Sequence, residues 1–99
     1  MTEYTVEELD PEADDVEITG EIAELPTPRA VSTRYGQKRI VTVVFEDETG
    51  EVDLTLWEEE IDEIDEGSEV QIEGAYVREW ADGVQLNISR DGDIERVDG

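Results

Sequence analysis

Arg34, Tyr35, Lys38 and Arg39 form a tight cluster, and together with Arg29 they fall in a stretch, Arg29 to Phe45, that contains no acid. Four of the chain's seven cations are in that stretch, although 30 of its 99 residues are acids. Guanidinium and ammonium groups beside aromatic rings suit one kind of chemistry well: the cations follow a phosphate backbone and the ring faces take stacked bases, each worth roughly 1–3 kcal/mol. Trp57 and Trp80 are the largest rings available, with Thr55 two residues before the first and Arg78 two before the second. The alternative for the cations is ion pairing with surrounding carboxylates, which contributes little at an exposed surface. For the tryptophans the alternative is burial, Trp57 under a helix and Trp80 at the end of a barrel.

The abundant carboxylates offer a second chemistry. Paired acids serve glycoside hydrolysis or bind divalent cations. With so many acids, however, close pairs arise by chance, and a chain this short has little depth for a substrate cleft. Asp91 and Asp93 around Gly92 do not extend into a full calcium loop, and Glu58, Glu59 and Glu60 read as a solvated helix start. With no cysteine and no histidine, disulfides, thiolate metal sites and the usual zinc and proton-shuttle chemistry are absent. No enzyme activity, metal or cofactor is expected.

Ninety-nine residues support one compact domain. Met1 to Pro28 holds ten acids and no base, and Glu46 to Val77 holds fourteen acids and no base, giving a net charge of -23. Apolar residues still make up 36% and alternate along several segments, as a folded sheet requires. Such acidity fits a salt-loaded cytoplasm, where the screening length is about 3 Å at 1 M salt and self-repulsion fades. The N-terminus lacks the profile of a secretion signal and the apolar runs are short, so a soluble cytoplasmic protein with no membrane association is expected.

The elements that would position the cluster follow from periodicity. Residues 1–14 are acidic, with Tyr4, Val6 and Leu9 as the available anchors and Thr5 and Glu8 matching a capping box; they read as a flexible or loosely docked lead-in to a domain over 15–99. Val16, Ile18, Gly20 and Ile22 alternate with polar residues in a first strand that stops at Pro26 and Pro28. PTPRAVSTRYGQKR is too polar for core and reads as a loop. RIVTVVF is a second strand, EDETGEV a hairpin turn, and EVDLTLW a third strand with Val52, Leu54 and Leu56 on one face and Asp53, Thr55 and Trp57 on the other. EEEIDEIDEG, with Ile61 and Ile64 at helical spacing, is a short helix stopped by Gly67. SEVQIEGAYVREW is a fourth strand bent at Gly74, ADG a turn, and VQLNISR a fifth strand with Val84, Leu86 and Ile88 inward. DGDIERVDG adds a last pairing through Ile94 and Val97.

Five short antiparallel strands with a helix between the third and fourth define an all-β OB-fold, a five-stranded Greek-key barrel whose binding surface lies on strands two and three and the loops joining strands 1–2 and 4–5. The basic cluster sits in the first of those loops.

At FEDETGEVDLTLW the chain resembles the DNA-binding OB domains of replication protein A, in which an acid-[ST]-G turn precedes an alternating strand ending in an aromatic. TRYGQKR, EGAYVREW and QLNISRDGDIERV resemble archaeal members of that family, so the likeness covers roughly residues 16 to 97. The resemblance implies single-stranded DNA as the ligand, in replication, repair or recombination, with Trp57 and Trp80 stacking on bases and Arg34, Lys38 and Arg39 on phosphates. Tyr35, Thr55 and Arg78 complete the expected site, and other subunits of the replication protein A type are expected partners. Family members often join several OB domains or carry a zinc motif, which this chain lacks. Two alternatives use the same surface, a protein-interaction OB module and an RNA- or tRNA-binding OB domain.

Overall fold

The computed structural model describes residues 2–81 and 83–97, leaving the side chains of Thr2 and Trp80 outside the description. Seven strands are present among these residues: β1 (Thr2–Glu3), β2 (Val16–Glu24), β3 (Arg29–Thr33), β4 (Gly36–Asp47), β5 (Gly50–Trp57), β6 (Glu69–Trp80) and β7 (Gly83–Arg96). A one-turn helix, α1 (Glu59–Asp62), lies between β5 and β6. They form one sheet in the order β1-β2-β6-β7-β5-β4-β3, and an extra pairing of β2 with β4 closes it into a barrel. Apart from β1 with β2 and β5 with β7, which run parallel, the pairings are antiparallel. The five barrel strands β2, β4, β5, β6 and β7, with a short helix after the third, are the all-β OB arrangement expected from the sequence.

Alternation builds the barrel interior. Val16, Ile18 and Ile22 from β2, Val43 and Phe45 from β4, Leu54 and Leu56 from β5, Val70 and Ile72 from β6, and Leu86 and Ile94 from β7 are all fully buried. In β6 the alternation slips by one at Gly74, whose φ of +69 marks a register shift opposite β7, so Ala75 and Val77 continue the inward row. Glycine takes that backbone region without the steric penalty other residues meet. The slip decides that Tyr76 and Arg78 belong to the outer face. Ile61 and Ile64 are buried as their spacing predicts, although α1 itself is only four residues long. Val84 and Ile88 pack against the core while remaining partly exposed, and Val97 reaches β6 through its backbone N–H, which donates to Glu69 O at 2.9 Å, with its side chain exposed.

Two stretches add to what periodicity gives. The segment read as a basic loop is a β-hairpin: Arg29 to Thr33 pair residue for residue with Ile40 to Gly36. Polarity misled here, because a hairpin standing off the barrel needs no apolar face of its own. The acidic lead-in, read as flexible or loosely docked, packs on the barrel through the anchors named for it, with Val6 and Leu9 buried and Tyr4 against the core, and with Ala13 buried beside them. Thr5 N–H and Oγ1 donate to the Glu8 carboxylate, and the β4–β5 turn caps the 3-10 turn Val6–Glu8: Val6 N–H donates to Asp47 Oδ2 at 2.9 Å and Glu7 N–H to Thr49 Oγ1 at 3.0 Å.

Candidate nucleic-acid interface

The register of β3, β4, β5, β7 and β6 aligns their outward side chains in rows across one face of the barrel. Arg29, Ile40 and Trp57 form the first row. Thr42, Thr55, Asn87 and Tyr76 form the second, and Val44, Asp53, Gln85 and Arg78 the third. Lys38, opposite Val31, stands one step beyond the first row. Trp57 and Asp53 are four residues apart, so the rows span about 13 Å along the strands. Asp53 is the one carboxylate on these three rows.

The β3–β4 hairpin turns over Arg34 and Tyr35. Its two-residue tip is set by Gly36, whose φ of +105 suits glycine, and by Thr33, whose hydroxyl donates to Gly36 O at 2.7 Å and accepts from Tyr35 N–H at 3.1 Å. Tyr35 is consequently 79% exposed, with the Arg34 guanidinium 6.0 Å from its ring centre. The tip overhangs a groove of about 660 Å3 whose lining includes Arg34, Tyr35, Lys38 and Trp57. Arg90 and Ser89 line it from β7, and Glu58, Glu59 and Glu60 form an acidic rim. Trp57, 40% exposed, presents its ring at the groove rather than under α1.

The rim acids have local work. Trp57 N–H donates to Glu60 Oε1 at 2.9 Å, holding the turn from β5 into α1. Burial pushes the Glu60 carboxyl above its ordinary value, the Trp57 N–H opposes this, and Glu63, Glu59 and Asp93 add to the upward push. Glu58, at φ +46, accepts the Arg39 N–H through its carboxylate and donates its own N–H to Arg39 O at 3.1 Å.

Four of the expected contacts, Arg34, Tyr35, Lys38 and Trp57, therefore meet in one groove. Arg78 shares the outer face but stands at its far corner, 6.0 Å from the Tyr76 ring centre. Arg39 does not join them. Strand alternation turns it away from Lys38, and its guanidinium makes a two-pronged pair with Asp62, at 3.1 and 2.7 Å. That hydrogen bond holds the Asp62 carboxyl below its ordinary range. Thr55 is on the Trp57 face as expected but is buried, 7% exposed, and its hydroxyl has no hydrogen-bond partner, nor does the buried Asn87 amide nitrogen beside it. An unpaired buried polar group costs about 1–3 kcal/mol. Trp80 closes β6 by its backbone, opposite Gly83; its expected stacking role concerns a side chain outside the described residues. Two cations left out of the expected site share this face: Arg29, aligned with Trp57 through Ile40, and Arg90 in the groove wall.

A barrel of this topology, with a cationic and aromatic outer face on β4 and β5, defines a class of ligand-binding OB domain, and comparison with known proteins agrees. The family profile described as OB-fold nucleic acid binding domain matches residues 16–93, and the chain belongs to that family. It is 36% identical over 85 residues to the single-stranded DNA binding protein Ssb of Saccharolobus solfataricus, covering 86% of this chain and 57% of that protein. It is 30% identical over 84 residues to replication factor A of Methanothermobacter thermautotrophicus, covering 84% of this chain and 11% of that protein. The chain thus spans a little over half of one relative and about a tenth of the other. Among solved structures, a replication factor A related protein from Methanobacterium thermoautotrophicum superimposes with a TM-score of 0.82 at 24% identity, covering 98% of this chain and 92% of that one.

Proposed function

We propose that the chain binds single-stranded DNA along the outer face of β4, β5, β7 and β6, as a non-catalytic OB unit of the replication protein A type acting in replication, repair or recombination. The observation that supports this most directly is the groove in which Trp57, Tyr35, Arg34 and Lys38 meet. In a chain of net charge -23, this is where cations and accessible rings coincide. Arg29, Arg90 and Arg78 extend the positive path to either side, and Trp80 is proposed as a further stacking ring. The relatives named as single-stranded DNA binding protein and replication factor A support the same ligand.

The acidity belongs to this reading as a feature of a salt-rich archaeal cytoplasm. Among the described residues no helix is long and apolar enough to cross a membrane. In molar salt, carboxylates outside the face repel a strand over only about 3 Å. Counterion release contributes less there, so stacking supplies most of the affinity. Other subunits of the replication protein A type are proposed as partners.

Intrinsic tryptophan fluorescence titrated with oligo(dT), oligo(rU) and duplex DNA in high KCl tests the reading. Quenching by oligo(dT) in preference to the other two is expected. An equal response to oligo(rU) would make the chain an RNA-binding domain, and no response to any would make the face a protein-docking surface.

A further inference from the structure

The ladder between β6 and β7 is interrupted at one point. Ala75 pairs with Ile88 and Glu73 with Asp93, so between these pairs β6 supplies Gly74 alone while β7 supplies four residues, 89–92. The surplus makes a bulge in β7, and a bulge re-aims side chains that strict alternation would send elsewhere. Without it, the period set by the buried Leu86 and Ile94 would turn Arg90 toward the barrel interior and Asp91 toward the outer face with Asn87. In the groove beside Trp57 the reverse holds: Arg90 is in the lining and Asp91 is not.

Two contacts fix the bulge. The backbones at Gly74 and Gly92 meet closely: a Cβ on Gly92 would lie 2.6 Å from Gly74 O and 2.7 Å from Glu73 O, and one on Gly74 would lie 2.9 Å from Gly92 Cα. Position 92 therefore takes no side chain unless the backbone shifts. Ser89 adds a bond of its own, its hydroxyl donating to Gly74 O. Arg90 stands between these two anchors. It is exposed and, unlike Arg39, makes no ion pair among the described residues, so its guanidinium is open to a ligand. A guanidinium meets a phosphate with charge-assisted, two-pronged hydrogen bonds, whereas the Asp91 carboxylate in that place would repel it.

We propose that the bulge at 89–92 is a positioning device for phosphate binding, in which Ser89 and Gly92 hold Arg90 over the groove and Arg90 takes a phosphate of the single strand. The proposal rests on the single-strand reading and adds to it the residues that set the sign of the charge on the β7 side of the groove. Ser89 and Gly92 act through Arg90, so their effect on binding exists only while Arg90 is present.

Affinity for oligo(dT), titrated over a series of KCl concentrations well below the unfolding midpoint, gives a salt slope that counts phosphate contacts, about 0.7 for each contact on a single strand. Arg90→Gln should make the slope shallower by about 0.7. Ser89→Ala and, separately, Gly92→Ala should produce most of the same loss, and neither should flatten the slope further once Arg90→Gln is present. Ser89→Thr keeps the hydroxyl and should retain the parent slope. Destabilisation of the fold alone would not reproduce this dependence on Arg90, and if Gly92→Ala does not fold, the Ser89 variants decide the matter. A slope unchanged by Arg90→Gln or by Ser89→Ala, or a Ser89→Ala loss that persists in full beside Arg90→Gln, would overturn the proposal while leaving single-strand binding intact. Failure of the parent chain to bind oligo(dT) at any of these salt concentrations would overturn both readings.

Discussion

The groove beside Trp57 and the groove beside Tyr4 are similar in size, about 660 and about 580 Å3, and different in character. The first sets Arg34, Lys38 and Arg90 with two exposed rings against a rim of Glu58, Glu59 and Glu60, whereas among the described residues no cation lines the other. The second is lined by Glu3, Glu21, Glu46, Glu48 and Glu69 among others, with Asp47 between them. A barrel wall offers concavity on more than one side, so concavity alone does not mark a site for a polyanion. Cations within reach do, together with ring faces that a base can reach. In the second groove Asp47 is satisfied within the fold, accepting from Val6 N–H, Thr49 N–H and the Thr49 hydroxyl.

Reversing charge in one groove and removing it from the other breaks the comparison most severely. Arg34→Glu combined with Lys38→Glu should weaken oligo(dT) binding roughly a hundredfold in moderate salt and by less in molar salt, as isothermal titration at several KCl concentrations would show. Glu21→Gln with Glu48→Gln should leave the same affinity within about threefold. Next in size is Trp57→Ala, which should cost about 1–3 kcal/mol of binding, one stacked base. With its ring at the surface, the variant should keep a cooperative unfolding transition. A variant that fails to fold would place Trp57 in the core and remove the ring from the binding face.

The two grooves should also respond oppositely to acid. Hydrogen bonds from Thr49, Val6 and Gly50 outweigh burial and hold the Asp47 carboxyl below its ordinary value. The ionised form therefore favours the fold above the usual aspartate range, and that stability is lost as pH falls through the lowered native value. Asp47→Ala should cost about 1–3 kcal/mol at neutral pH, and the difference from the parent should shrink on acidification. Glu60 has the opposite sign. Its carboxyl is raised by burial, so its contribution to stability is complete below the usual glutamate range and lost as pH rises through the raised value. Glu60→Gln keeps an oxygen for the Trp57 N–H and should raise the unfolding midpoint at neutral pH by a few degrees, with no gain near pH 4. This is the smallest of the expected effects, and thermal unfolding across pH measures it together with Asp47→Ala.

Much of this architecture is written in period-two alternation. Val16, Ile18 and Ile22, or Val52, Leu54 and Leu56, declare their inward face without reference to any partner, and Gly74 announces the slip in β6. The resemblance carried by FEDETGEVDLTLW and TRYGQKR pointed to the same barrel. What alternation does not give is register between strands far apart in sequence. Arg29 reaches the row of Trp57 through Ile40, and Arg90 enters the groove wall from a different part of the sequence, so neither was legible. Arg39 was misplaced for a simpler reason: neighbours on a strand point to opposite sides, and its partner Asp62 arrives from α1. The burial of Thr55 follows from its central position between β4 and β7, and the lead-in's docking depends on a cap provided by the β4–β5 turn.

Backbone amide chemical shifts followed during addition of oligo(dT) in high salt test the central assignment most directly, because they report both grooves in one experiment. The account predicts that perturbations gather along Lys38 to Thr42, Asp53 to Trp57 and Gln85 to Ser89, with Thr19 to Glu21 and Glu46 to Thr49 silent. Perturbations centred on the acidic groove, or scattered without preference over the barrel, would contradict it.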